Sequence, residues 1–405
     1  MEMKKYKLRE LLTIKNGKDH KQLKEGVYPV LGSGGVMRYV DTFLYDKPSV
    51  LLPRKGTLNN IQYSDKPFWT VDTLYYTEVN QDLTDTYYLF NYLKLLDLSN
   101  LDSGTGVPSM TFDSYYNLSV KLPSLKNQNK IATILAHIDK KILINREINR
   151  NLEELAKQIY DYWFVQFDFP NEEGKPYKSS GGKMVWNDVL KREIPEGWED
   201  KKLGEVVKKI DSGKRPAGGI NKELKEGIPS LGAECIDKLG IFDFSSTPFI
   251  DFSYRNKMTT GKIENNDILV YKDGAYVGKT TLFRDNFPYD EAFVNEHVFL
   301  LHAQDDYLEE YIYFILTQNT YFQIMQNLGK AKAAQPGLNR DDMLNIHLIV
   351  PNKNVVNIFH NKVELLFHNL FENAKSIKHL IALRDNLLPL LMNGQVTLNS
   401  YLSHD

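Results

Sequence analysis

Cysteine is nearly missing from this chain: Cys235 stands alone among 405 residues. One cysteine closes no internal disulfide and builds no thiolate zinc site, and such usage fits a reducing cytoplasm. No apolar run approaches the roughly 20 residues a membrane-spanning helix needs, so no membrane partner is expected. Met1 to Leu12 is charged and no apolar stretch follows it, unlike a secretory leader. An excess of positive charge is absent too: 50 Lys and Arg stand against 52 Asp and Glu, a formal net charge of −2. A protein that coats nucleic acid without regard to sequence is normally basic overall. A reader whose basic groups are local remains compatible with this balance. What is present is ordinary for folded domains. Hydrophobic residues make up 42% and charged residues 25%, and the length predicts two or three domains. The 24 Tyr and 20 Phe favour strand-rich, loop-rich domains.

The chain repeats itself. Tyr6–Leu11 (YKLREL) matches Lys201–Val206 (KKLGEV), and Gly17-Lys18 matches Gly213-Lys214. Tyr28–Gly32 (YPVLG) matches Ile228–Gly232 (IPSLG), and Ser49–Gly56 (SVLLPRKG) matches Asp267–Gly274 (DILVYKDG). Pro108 matches Pro336, and Leu118–Pro123 (LSVKLP) matches Ile346–Pro351 (IHLIVP). The offset grows from 195 at Leu8/Leu203 to 228 at Pro123/Pro351 while the order holds, as when two copies of one fold diverge through their loops. Each copy reads as short strands punctuated by turns and followed by one long helix. Residues 84–98 and 305–318 read as helical within the globular parts. The stretch 166–194 is polar and Gly/Ser-rich, and reads as the connection between copies.

The two long helices carry one pattern. Ile131, Leu135, Ile138, Ile142, Asn145, Asn149, Leu152, Ala156, Ile159 and Trp163 follow one another in alternating steps of four and three. Phe359, Val363, Leu366, Leu370, Asn373, Ile377, Leu380, Arg384, Leu387 and Leu391 repeat those steps at a constant offset of 228. That spacing is a coiled-coil seam, and a seam Asn such as Asn145 or Asn373 can fix register at a cost in stability. Copy, helix, copy, helix closes most simply with the helices antiparallel. At 1.5 Å per residue, a helix from about residue 128 to 163 spans roughly 50 Å. The pair would act as a ruler between two readers. The expected class is therefore α+β: two tandem recognition domains separated by two long helices packed as an antiparallel coiled coil. Its boundaries are 1–123 for the first domain, 124–165 for the first helix and 166–194 for the connector. The second domain takes 195–351, the second helix 352–392 and the tail 393–405.

Three hints of enzymatic chemistry carry little weight. Gly274–Thr280 (GAYVGKT) has three residues between its glycines where a phosphate-cradling loop needs four. Leu31–Gly35 (LGSGG) faintly suggests a methyltransferase cofactor loop, but the chain has no Asn-Pro-Pro-Tyr or Asp-Pro-Pro-Tyr to hold a flipped base, and a turn is the default for such a cluster. Acid-x-Lys spacings at Glu223/Lys225 near Asp211, and Glu173/Lys175 near Asp161, fall in polar stretches that cannot present metal ligands rigidly. Glu296-His297 lacks a second histidine at ligand spacing. No catalytic residue and no metal site is expected, and no cofactor in this chain.

Base reading needs donors and acceptors on loops. The first copy offers Arg54, Lys55, Thr57, Asn59 and Asn60, then Trp69 and Thr70, then Ser103, Thr105 and Ser109. The second offers Lys272 and Lys279, then Asn295 and His297, then Lys330, Lys332, Gln335, Asn339 and Arg340. Many such residues contact phosphates instead, and Trp69 reads as packed rather than stacked on a base.

Over essentially its whole length the sequence resembles the specificity subunits of Type I restriction–modification systems. The resemblance is carried by Tyr28–Gly35 (YPVLGSGG), Ser49–Thr57 (SVLLPRKGT) and Phe68–Thr73 (FWTVDT) in the first copy, and by Leu152–Phe169 (LEELAKQIYDYWFVQFDF) at the end of the first helix. Pro195–Trp198 (PEGW), Asp267–Ala275 (DILVYKDGA), Gly278–Thr280 (GKT) and Leu383–Val396 (LRDNLLPLLMNGQV) carry it in the second half. The resemblance implies a non-catalytic subunit that reads a bipartite, asymmetric site on double-stranded DNA. It also implies two modification subunits that clasp the helices and methylate adenine N6, and ATP-driven restriction subunits. S-adenosylmethionine, ATP and Mg2+ would sit on those partners. Seam neighbours Ile134, Ile148, Phe367 and Phe371 are expected to dock partner helices. The rival reading is a tandem-repeat coiled-coil adaptor that binds only proteins.

Overall fold

Both copies open with the same small device. In the first, the strand Lys4–Lys7 turns into a single helical turn, Leu8–Leu11, because the Glu10 carboxylate accepts the Lys7 N–H at 2.6 Å. In the second, Glu199–Lys202 turns into Leu203–Val206 as Glu205 accepts the Lys202 N–H at 2.7 Å. Each carboxylate satisfies a donor that the start of a helix leaves orphaned. The turn then drives two apolar residues inward: Leu8 and Leu11 are fully buried, as are Leu203 and Val206 to within 1%. The computed structural model describes residues 2–98, 108–214, 224, 226–235, 238–304, 308–330 and 337–396.

The sheets repeat strand for strand. In the first copy a four-stranded sheet runs Leu12–Lys15, Leu74–Val79, Ser49–Pro53, Gln62–Ser64. A three-stranded sheet runs Gly35–Val40, Tyr28–Gly32, Trp69–Thr70, its last pair parallel. Lys4–Lys7 pairs antiparallel with Ser119–Leu122. The second copy has the same three sheets in the same order: Val207–Ser212, Val298–Ala303, Ile268–Tyr271, Thr280–Leu282, then Phe249–Ile250, Ile228–Leu231, Phe293–Val294, then Glu199–Lys202 with His347–Val350. There too the last pair of the three-stranded sheet is parallel. Ser49–Pro53 is buried at every residue, which is why it reads as an unbroken apolar run rather than an alternating one.

The long helices are Leu125–Tyr160, closed by a π-turn at Asp161–Val165, and Lys353–Met392. The chain divides into two units inside both helices: Met1–Leu143 with His379–Asp405, and Ile144–Lys378. Within each unit the helical segments run antiparallel. In the first, Arg384 donates to Asp139 at 2.9 Å, while Ile131 and Leu135 share a core with Leu388, Leu391 and Met392. Ile142 is buried, and Ile138, Leu380 and Leu387 are half-buried. In the second, Asn145 Nδ2 lies 3.3 Å from Ser376 Oγ and Asn149 donates to the Leu370 carbonyl at 3.0 Å. Ala156, Tyr160 and Trp163 pack in one core with Phe359, Val363 and Leu370, with Leu152, Ile159 and Leu366 at its margin. Asn373 is half-buried.

One expectation needs correcting. Phe367 and Phe371 are buried to within 1% in the core of the second unit, so they dock no partner. A helix covered both by its mate and by a globular domain needs an apolar face wider than two positions per heptad. The connector holds a hairpin, Met184–Asn187 with Arg192–Pro195. Its aromatic residues also enter the core, with Phe169 stacked 4.6 Å from Tyr177 and 5.0 Å from Trp198. The helix Glu309–Thr317 is followed by a further one, Asn319–Lys330.

Candidate nucleic-acid interface

In the first copy the buried strand Ser49–Pro53 delivers its chain to the surface at Arg54, where backbone bonds gather the other loops. Arg54 N–H donates to the Thr73 carbonyl and Met110 N–H to the Arg54 carbonyl, both at 2.9 Å. Lys55 bridges to Ser109, and Gly56 N–H donates to the Pro108 carbonyl at 3.0 Å. The rim therefore draws together Arg54, Lys55 and Ser109 from two of the three predicted loops, and Thr73 at the end of the third. Asn60 Nδ2 donates to the Ser33 carbonyl at 2.6 Å and Gln62 to the Gly32 carbonyl at 2.8 Å. The glycine turn after Leu31, a faint cofactor loop in the sequence, is thus a fourth wall of this rim. Thr57 and Asn59 are exposed, and Asn59 accepts the Leu98 N–H at 3.1 Å. Arg54 lies over the Tyr75 ring, 5.9 Å from its centroid; burial pushes the Tyr75 hydroxyl pKa up, against the pull of Arg54. Trp69 is half-buried and donates to the Lys18 carbonyl at 2.9 Å, a packed role. Ser103 and Thr105 lie outside the described residues.

The second copy builds the same rim. Lys272 N–H donates to the His297 carbonyl at 3.0 Å, Leu338 N–H donates to the Lys272 carbonyl at 2.7 Å, and Asp273 bridges to Gly337. Lys272 lies over the Phe299 ring at 5.0 Å and its Nζ is 3.4 Å from Ser212 Oγ. His297 stands between carboxylates, Nδ1 3.1 Å from Asp273 and Nε2 3.3 Å from Glu296. Lys279 is half-buried beside the Tyr276 ring. Lys330 ends its helix exposed, and Arg340 opens another behind Asn339, whose side chain accepts the Asp342 N–H at 2.6 Å. Lys332 and Gln335 lie outside the described residues.

Two candidates leave the surface set. Thr70 is fully buried, and Asn295 is 4% exposed with its side-chain oxygen accepting the His297 N–H at 2.9 Å. Both sit on or beside the parallel strand pair, and the Asn295 side chain serves the backbone there.

The enzymatic hints that fall on described residues take part in turns, hydrogen bonds and ion pairs. Gly278-Lys279 leads into the strand Thr280–Leu282, whereas a phosphate loop must open a helix whose amides face the anion. Gly278 has φ +87°, and a Cβ there would lie 3.0 Å from Met325 Cβ, so the glycine serves a turn and a close approach. Asp211 is engaged by the amides of Ser212 at 2.8 Å and Gly261 at 3.2 Å. Burial pushes its pKa up, but those bonds and Lys209 outweigh it and hold the group below the usual carboxylate range. Glu223 and Lys225 lie outside the described residues; Glu173 pairs with Lys175 at 2.8 Å and Asp161 with Lys157. Among the described residues, one trio could offer metal-ligand atoms, Glu310, His360 and Glu364. The Arg284 guanidinium already binds both carboxylates.

Comparison with known proteins places these features in a group. A family model described as the Type I restriction modification DNA specificity domain matches residues 1–154 and 195–363. The MjaIX specificity subunit of a Type I restriction enzyme from Methanocaldococcus jannaschii is 25% identical over 370 residues, covering 87% of this chain and 78% of that protein. The HindI specificity subunit from Haemophilus influenzae is 25% identical over 352 residues, covering 75% and 74%. A crystal structure of a Type I restriction-modification S subunit from M. genitalium superposes with a TM-score of 0.61 at 18% identity, covering 96% of each chain. At that identity the likeness is one of fold. Among the described residues no helix is long and apolar enough to cross a membrane.

Proposed function

The chain belongs to the Type I restriction–modification DNA specificity family, and on that premise we propose that it reads a bipartite, asymmetric site on double-stranded DNA and leaves the chemistry to partner subunits in the cytoplasm. One observation carries the asymmetry. The two domains share strand order and the backbone bonds of the rim, yet line that rim with different side chains. Direct readout follows side-chain donors and acceptors, so one scaffold with two linings fits two unlike half-sites. The candidates that remain are Arg54, Lys55, Thr57, Asn59, Asn60 and Ser109 in one domain, and Lys272, Lys279, His297, Lys330, Asn339 and Arg340 in the other.

The partners we propose are two modification subunits, which bind S-adenosylmethionine and methylate adenine N6, and restriction subunits that use ATP and Mg2+. In the second unit the first long helix leaves Ile144, Ile148, Leu155, Tyr162 and Val165 exposed. Those positions follow in steps of four, seven, seven and three, a heptad-compatible stripe beside the buried seam, the form a docking helix of a modification subunit requires. Ile148→Asp with Leu155→Asp should weaken co-purification with the modification subunit by about tenfold or more while leaving thermal unfolding nearly unchanged. Undiminished co-purification would remove this face from the interface.

The test of the whole reading is co-expression with the cognate modification subunit and single-molecule mapping of N6-methyladenine. A two-part, asymmetric motif is expected. Exchanging residues 1–123 for another recognition domain should change one half and spare the other. An assembled complex with an active methylase and no motif-specific methylation would favour the protein-only adaptor.

A further inference from the structure

We infer that Lys55 in the first recognition domain and Asp273 in the second read the base pair at which the two half-sites diverge, Lys55 facing a guanine and Asp273 the amino group of a cytosine. The inference rests on the DNA-reading function proposed above and goes on to assign which residue specifies what.

Corresponding tripeptides occupy the same place in the two copies. Arg54-Lys55-Gly56 and Lys272-Asp273-Gly274 leave equivalent strands and are fixed by equivalent bonds. Arg54 donates its N–H to Thr73 and accepts from Met110; Lys272 donates to His297 and accepts from Leu338. The next residue bridges to Ser109 in one copy and to Gly337 in the other. The third is a glycine in the left-handed region in both, with φ +90° at Gly56 and +83° at Gly274. With the backbone so matched, what the two copies present here is decided by side chains.

The first residue keeps its chemistry. Arg54 and Lys272 are both cations, each lying over an aromatic ring of the equivalent strand, Tyr75 and Phe299. A cation held in the same place in both copies suits a phosphate, the contact that positions a reader without specifying sequence. The middle residue reverses its charge. Lys55 is exposed and can only donate, which suits the O6 and N7 acceptors of guanine. Asp273 can only accept when ionised. A carboxylate facing duplex DNA is repelled by the phosphates unless a base donor meets it, and in the major groove the cytosine N4 amino group is the donor that carboxylates take.

The surroundings of Asp273 suit that task. His297 Nδ1 lies 3.1 Å from its Oδ2, which orients the carboxylate. A Cβ on Gly337 would fall 2.4 Å from its Oδ1, so glycine there leaves room for this group, where the first copy carries Ser109.

The experiment uses the full chain with its cognate modification subunit, as wild type, Lys55→Gln and Asp273→Asn. Methylation motifs are mapped, and binding is then measured on duplexes carrying each of the four base pairs at the affected position. The wild type is expected to require a G·C pair there in each half, oriented oppositely with respect to its recognition domain, guanine facing Lys55 and cytosine facing Asp273. Asp273→Asn should relax one position in the half read by the second domain, with discrimination falling about tenfold. Lys55→Gln should do the same in the other half. Thermal melting checks that both variants fold. Motifs unchanged in both variants, an affected position that is not G·C, or equal weakening on all four duplexes would overturn the inference; equal weakening would mark phosphate contacts instead. A wild-type complex that methylates no motif would strike the underlying function rather than this assignment.

Discussion

Replacing Phe359 by alanine should destabilise the unit Ile144–Lys378 by about 3–5 kcal/mol, read as an earlier urea transition of that unit. Phe359 is fully buried near the start of the second long helix. Its ring centroid lies 4.9 Å from Phe164, 6.0 Å from both Tyr160 and Trp163, and 6.3 Å from Phe314. Those neighbours come from the end of the first long helix, its π-turn and the helix Glu309–Thr317. Three elements therefore share one side chain, and none can close the cavity without shifting against the others. Edge-to-face packing, at 83° for Phe164, adds a contribution beyond buried area. Phe359→Leu, which keeps much of the volume, should cost clearly less. Ile148→Ala, on the exposed face, should stay within about 0.5 kcal/mol. A loss under about 1 kcal/mol for Phe359→Ala would mean that the site collapses freely, against the spread seen for large-to-small core changes.

The duplication and the helices were legible because each leaves a periodic or colinear trace. Apolar runs such as Val50–Leu52 and Ile268–Val270 recur in order, and the seam from Ile131 to Trp163 repeats in steps of four and three. What stayed hidden is what depends on neighbours far along the chain. Phe367 and Phe371 look like flanking positions because the heptad counts one partner helix, whereas the chain also covers them with its own second domain. Leu239-Gly240 gave no signal. Yet Leu239 is buried in the core of that unit, and a Cβ at Gly240, φ +68°, would lie 2.6 Å from Leu370 Cδ2 and 3.3 Å from Asn149 Nδ2. That loop is seated directly on the helix pair. In the rim, the loops carrying Arg54, Lys55 and Ser109 were legible as polar segments. That they meet follows from backbone bonds to Thr73 and Met110, which side-chain type does not encode. For the same reason Thr70 and Asn295 pass as readers in the sequence although the strand pair buries them. The glycine turn at Ser33 passes as a plain turn or a faint cofactor loop although Asn60 and Gln62 tie it to the rim.

Arg284→Met should cost about 3–5 kcal/mol at neutral pH, because it leaves a buried carboxylate without its cation. Arg284 is 6% exposed and Glu310 2%. The guanidinium binds Glu310 and Glu364 and lies 5.6 Å from the centroid of the Phe367 ring, joining the second recognition domain to the helix that follows it. His360 Nδ1 is 3.3 Å from Glu310 and its Nε2 is 3.7 Å from Glu364. Burial pushes the Glu310 pKa up, but the His360 hydrogen bond and the Arg284 charge outweigh it and hold the group below its ordinary value of 4.5. The Glu310 bond in turn raises the His360 pKa above 6.5. A lowered acid stabilises above its unfolded pKa and loses that contribution as pH falls through the folded one; a raised histidine stabilises below its unfolded pKa and loses it as pH rises through the folded one. Both contributions are therefore in place between pH 4.5 and 6.5. Without Arg284, burial acts on Glu310 with less opposition and its pKa should rise. The variant's deficit, measured by urea unfolding, should then shrink from pH 7 to pH 5 as Glu310 takes up a proton. Arg284→Met with Glu310→Gln should recover most of the loss, since an ion pair replaced on both sides is often nearly neutral. A deficit below about 1 kcal/mol, the same at both pH values and unimproved by the second substitution, would show that the domain is joined to its helix by apolar packing alone.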